Sequence, residues 1–166
     1  MPLAISAKES HHVEMTRTDL IARYRDGHAK VVDALEAITP DELDRSAPGE
    51  WSAREIVHHL ADSESNSYVR LRMLLAEESP VIAAYDENRW ARTLHYDRPI
   101  TASLAVLQAV RASSAELLDC VHDADWARAG THSESGAYSL SIWLEIYAAH
   151  AHDHADQIRR ARHGYQ

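Results

Sequence analysis

A chain of 166 residues with 17 basic and 26 acidic side chains carries a net charge of −9, which weighs against nucleic acid or an anionic membrane surface as the main partner. The length suits one domain, residues 1–166, with a core of its own, and one cysteine, Cys120, leaves no internal disulfide and fits a reducing compartment. No apolar stretch approaches the roughly 20 residues that span a bilayer, and Met1–Ser10 lacks a charged start followed by an apolar run, so the sequence predicts no signal peptide and a cytoplasmic protein.

Residues 1–13 carry little pattern and are expected to fray. From Thr16 to Ile38, apolar residues recur at Leu20, Ile21, Tyr24, Val31, Leu35 and Ile38, the stripe of an amphipathic helix, with His28 on the same face. Thr39-Pro40-Asp41-Glu42 reads as a capped helical turn and Ser46-Ala-Pro48-Gly49-Glu50 as a loop. Ser52-Ala-Arg-Glu55 is a capping box, so a second long helix should run from Ala53 to about Glu77. Its core stripe holds Ile56, Leu60, Leu71 and Leu74, with Ser63 and Ser67 between them, small polar residues that suggest a cavity or a site.

The connection from Val81 to Pro99 is long and rich in Tyr85, Trp90, His95 and Tyr96, and loops of that length are often functional. A short helical turn is expected around Asp86–Arg92. Thr101 should cap a third long helix reaching about Val121, with Arg111 and Ser114 on its core stripe. Asp123 to Ala137 reads as a second connection. Ser139 should cap a fourth long helix to about Arg162, whose inner stripe is Trp143, Tyr147, His150, His154, Gln157 and Ala161. No run of alternating β-branched residues competes with this reading. The expected class is all-α, an antiparallel four-helix bundle with a long loop between long helices 2 and 3.

The fourth helix carries His150, His152 and His154. Residues four apart on a helix share a face and residues two apart do not, so His150 and His154 pair and His152 should meet solvent. Two imidazoles at that spacing need a third ligand for a metal. On the second helix, His59 leans toward the core direction of Ile56 and Leu74, and His58 lies on the far side, where it should be solvated. A cluster of His59, His150 and His154 would leave coordination positions open, as catalytic sites do. Imidazole suits zinc, nickel, copper or iron(II), with zinc or nickel the first expectation for one divalent transition metal.

At these residues the chain resembles the DinB-like superfamily, in its YfiT-type branch. The motifs are Trp51-Ser-Ala-Arg-Glu55-Ile-Val-His-His59-Leu-Ala-Asp62-Ser-Glu64 and His150-x-x-x-His154-x-x-Gln157-Ile158, with Tyr85-Asp86-x-x-x-Trp90-Ala91 and His132-x-x-x-Gly136-x-x-x-Leu140 between them. The resemblance covers about Leu20 to Ile158. It implies a four-helix bundle, often a homodimer, with a divalent metal on three histidines, carried over by position to His59, His150 and His154. It also implies relatives that are transferases or isomerases using low-molecular-weight thiols.

Other polar residues carry alternatives. Glu64 could orient an imidazole or act as base toward water, which makes it the candidate catalytic residue, and Asp62 reads rather as a solvated carboxylate. Gln157, one turn beyond His154, could hydrogen-bond behind it. A buried Arg111 needs an anion, and Glu64 is a better fit than a substrate carboxylate. His28 reads as a satisfied core histidine, His132 as a loop anchor and Cys120 as a small buried hydrophobe. Trp51, Trp90, Trp143 and Tyr147 are core or pocket lining.

Three functions follow. The first is a metal-dependent S-transferase in which a low-molecular-weight thiol joins the open position as cosubstrate. The second is a metal-dependent hydrolase with Glu64 as base, and the third a non-catalytic dimeric bundle that binds metal or a small ligand. Either enzyme would take a small-molecule substrate.

Overall fold

The computed structural model describes residues 15–165; the expectation for residues 1–13 lies outside them. Four long helices, α1 (Arg17–Ala34), α3 (Ala53–Ala76), α5 (Thr101–Leu118) and α6 (Leu140–Arg162), form the bundle. Two short helices, α2 (Pro40–Leu43) and α4 (Glu87–Thr93), sit in the connections. The ends follow the local signals. Thr16 with Asp19, Thr39 with Glu42 and Ser52 with Glu55 form reciprocal capping boxes, which satisfy amides that a helix start leaves bare. Thr101, expected as a cap, is instead the first residue of α5, and Ile100 before it provides no side-chain cap.

The helices pack in a ring, α1 against α6 and α5, and α3 against α6 and α5. Cross-contacts give their directions. Arg23 meets Ala148 and Arg159 meets Asp33, so α1 and α6 run the same way. His58 meets Ser103 and Arg72 meets Ser113, so α3 and α5 also run together. Trp143 meets Ser67 while His59 packs on His154, so the two pairs oppose each other. A 24-residue helix is about 36 Å long, and the chain must return that distance from the end of α3 to begin α5 alongside it. The long connection between them is the consequence.

That connection and the next one hold a small sheet that the sequence did not announce. Strand β1 (Val81–Ile82) pairs in parallel with β2 (Ala129–His132), which pairs antiparallel with β3 (Gly136–Ser139). These strands are too short to show an alternating pattern, which is why the expected all-α reading missed them. Gly130 lies where a Cβ would strike the Pro80 carbonyl, so only glycine allows the strands to meet there. Among the described residues no helix is long and apolar enough to cross a membrane.

Two apolar clusters fill the bundle. One gathers Tyr24, Leu71, Leu74, Leu118, Trp143 and Leu144; the other gathers Val31, Ile56, Leu60, Leu107, Ala155 and Ile158. Between them lies a polar layer with His59, Ser63, Glu64 and Arg111, all buried. Polar groups removed from water need partners, and those partners define the site.

Candidate metal centre

His59 on α3 and His150 and His154 on α6 each offer a ring nitrogen to one cluster, with all three atoms within 4.8 Å of one another. The rings lie edge to face, with centroids 4.6 to 5.6 Å apart. Helical geometry makes the α6 pair, and the antiparallel contact of α3 with α6 supplies the third ring. Burial, then the neighbouring His154 and His150, lowers the pKa of His59 to about 3. Burial and then His150 lower that of His154 to about 4. Both rings are therefore neutral at pH 7, with a lone pair free to donate.

The far sides of the rings are held. His154 Nδ1 lies 2.7 Å from Gln157 Oε1 and His150 Nδ1 lies 3.2 Å from Glu64 Oε1. Both oxygens accept, so both Nδ1 atoms carry the proton and both Nε2 atoms are left for the cluster, a tautomer assignment made from the network. Such outward carboxylate and amide partners are what metal-ligating histidines have. Trp51 packs on His59 at 4.8 Å between ring centroids, and Tyr147 packs on His150 at 5.6 Å. The donor set, the neutrality of His59 and His154, and the backing by Gln157 and Glu64 suit a divalent transition metal.

Glu64 is wholly buried, and its Oε1 also meets Arg111 Nη1 at 2.5 Å. Arg111 donates as well to the carbonyl oxygens of Tyr24 and Tyr147 and lies over the Tyr24 ring at 4.0 Å. The expected internal ion pair is present. Its room comes from Gly27 on α1, where a Cβ would stand 2.5 Å from Arg111 Nη2. The sequence offered a signal for this, since a glycine inside a helix weakens it and implies close approach.

Several residues depart from expectation. His58 is buried rather than solvated, with its nitrogens 2.7 Å from Ser103 Oγ and 2.9 Å from the Arg98 carbonyl. A wheel gives its direction, but α5 and the segment before it cover that side. His152 is half-buried and meets the Arg23 carbonyl at 3.0 Å, because α1 packs there; it stays outside the cluster. Cys120 is exposed, beyond the end of α5. Asp62 accepts the Tyr96 hydroxyl at 2.6 Å instead of standing free in water.

His28 is half-buried outside the cluster, its pKa lowered by burial and then by Arg111. His132 ends β2, and its Nδ1 accepts from the Glu134 and Ser135 amides at 3.4 and 3.3 Å, an anchor as expected. Trp143 is core and Trp90 packs on Tyr85. Arg70 and Tyr138, beside Tyr147, were not anticipated, although Arg70 lies on the Ser63 side of α3, two turns on.

A bundle of this topology with three inward histidines defines a class of metal-binding helical protein. The DinB superfamily model matches residues 12–158, and the chain belongs to that family. An Oceanobacillus iheyensis protein named "putative metal-dependent hydrolase" is 40% identical over 119 residues, 71% of this chain and 69% of its own. A Bacillus cereus protein (strain ATCC 10987) of the same name is 32% identical over 134 residues, 80% and 78% of the two chains. The solved structure of YfiT from Bacillus subtilis, described as "a probable metal-dependent hydrolase with an unusual four-helix bundle topology", superposes with a TM-score of 0.82 at 31% identity over 93% of both chains.

Proposed function

We propose that His59, His150 and His154 hold one divalent transition metal, zinc or nickel first among them, and that the protein is a metal-dependent hydrolase of a small molecule. The observation that carries this reading is the donor set, three imidazoles gathered within 4.8 Å and backed by Glu64 and Gln157. The names of the relatives support it. A metal held by these three imidazoles would keep positions open and would acidify water or a thiol, or polarise a carbonyl, placed there.

The chain's own residues do the rest. Glu64 takes the proton side of His150 and so turns Nε2 inward, and Gln157 does the same for His154. Arg111 donates to Glu64 Oε1 and sets a positive charge beside it in the buried layer. Because Oε1 of Glu64 is shared by two donors and the carboxylate is wholly buried, the reading assigns it to orienting His150 rather than to acting as base. Glu64→Gln should then weaken metal binding 10–100-fold. A variant with full metal affinity and no turnover would restore the base role.

Chelation should abolish hydrolysis of a panel of esters, amides and lactones, and the restored metal should return it. A chelated protein with full activity refutes the metal-dependent reading, and the absence of any turnover in the loaded protein favours the non-catalytic bundle.

One observation favours a second reading, thiol-dependent S-transfer. The one oxygen of Glu64 that touches the cluster, Oε1, is shared between Arg111 and His150, and a low-molecular-weight thiol acidified in the site needs no protein base. Incubation with bacillithiol, mycothiol or cysteine and monochlorobimane tests it; no metal-dependent acceleration with any thiol counts against it. The homodimer is also a proposal, and light scattering that finds only a species of monomer mass would overturn it.

A further inference from the structure

Beside the histidine cluster, two enclosed tyrosine hydroxyls have no hydrogen-bond partner and a half-buried arginine meets no carboxylate. Arg70, half-buried on α3, donates to the Tyr147 hydroxyl at 3.1 Å and the Ala83 carbonyl at 2.8 Å. It meets no carboxylate among the described residues, in a chain where acids outnumber bases 26 to 17. Tyr138 on β3 is 4% exposed, and its hydroxyl lies next to Arg70 and Tyr147 without hydrogen-bond geometry to either. Tyr85 is half-buried, and its hydroxyl is enclosed and without a hydrogen-bond partner beside Ser63. Ser63 Oγ in turn stands 3.5 Å from His150 Nε2, the nitrogen turned toward the cluster.

The shared need is an acceptor with negative charge. Burial pushes the Tyr85 hydroxyl up to about 12 and raises that of Tyr138 as well, so both remain protonated donors at neutral pH. A guanidinium with open N–H groups and two phenolic donors matches an oxyanion. The line from Arg70 through Tyr147 and Ser63 ends at the histidine cluster, so an anion seated there would hold its molecule against it.

We propose that Arg70, Tyr85 and Tyr138 bind a carboxylate or phosphate group of the substrate and so restrict the protein to small anionic molecules. The assignment of that anion to the substrate rests on the metal-dependent reading above. The anion site itself does not, because none of its three residues belongs to the histidine cluster.

The test is titration of the full protein, metal-free and zinc-loaded, with sodium acetate and separately with inorganic phosphate at constant ionic strength, followed by proton–nitrogen NMR. Saturable shifts are expected at Arg70 and at the backbone amides near Tyr85 and Tyr138, and the anion that binds more tightly identifies the group. Arg70→Met should weaken binding at least tenfold and Arg70→Lys less, with circular dichroism and zinc content unchanged. Tyr138→Phe, a milder change, should weaken it several-fold. No saturable shift with either anion, or equal affinity in Arg70→Met, overturns the proposal. A wild-type protein that binds no zinc sinks the metal reading alone, because the metal-free titration reports on the anion site separately.

Discussion

At the scale of single residues, the cluster depends on making protonation of its histidines costly. His59 and His154 are enclosed, each beside other imidazoles, and for His154 that burial outweighs the opposing pull of Gln157 and Glu64. His154→Ala should therefore lose nearly all bound metal by elemental analysis, whereas His152→Ala should keep it, since His152 lies outside the cluster against α1. Unchanged metal in the first variant would sink the site. His59, His150 and His154 were legible in the sequence because a regular helix converts spacing into direction. His58 was not, because its burial comes from α5 and the Arg98 carbonyl, and no pattern within α3 reports what another segment covers.

At the scale of elements, three helices meet in the polar layer. Glu64 comes from α3, Arg111 from α5 and the space for the guanidinium from Gly27 on α1. Removing one partner of a buried pair leaves the other charge stranded, so Arg111→Met should cost about 3–5 kcal/mol of stability in denaturant titration. Gly27→Ala forces a methyl into the guanidinium and should cost about 1–3 kcal/mol as overpacking. By contrast Ser52→Ala removes one cap of α3 and should cost about 1 kcal/mol. If Gly27→Ala is neutral, α1 gives way and the layer is looser than its contacts imply.

At the scale of the whole molecule, the depressed histidines tie stability to pH. In the unfolded chain His59 and His154 return to their ordinary value of 6.5, against about 3 and about 4 when folded. Below pH 6.5 the unfolded state binds more protons, so stability is complete above that pH and falls as pH drops toward about 4, by at most about 1.4 kcal/mol per unit per histidine. Urea titrations of the metal-free protein at pH 7.5, 6 and 5 should show the decline, and His59→Ala should flatten it. Metal at 100 times its dissociation constant should add about 2.7 kcal/mol, read as a rise in Tm.

The sequence by itself determined the four long helices, the caps of two of them at Ser52 and Ser139, and the face on which His150 and His154 stand. These are local matters of periodicity and of amides that need acceptors within three residues. Only the tertiary structure decided that α1 runs with α6 and α3 with α5, that a three-stranded sheet closes the connections, and that Arg70, Tyr85 and Tyr138 converge beside the cluster. Those facts depend on which surfaces meet across the bundle, through contacts between residues far apart in the chain, and such contacts leave no periodic trace in any one segment.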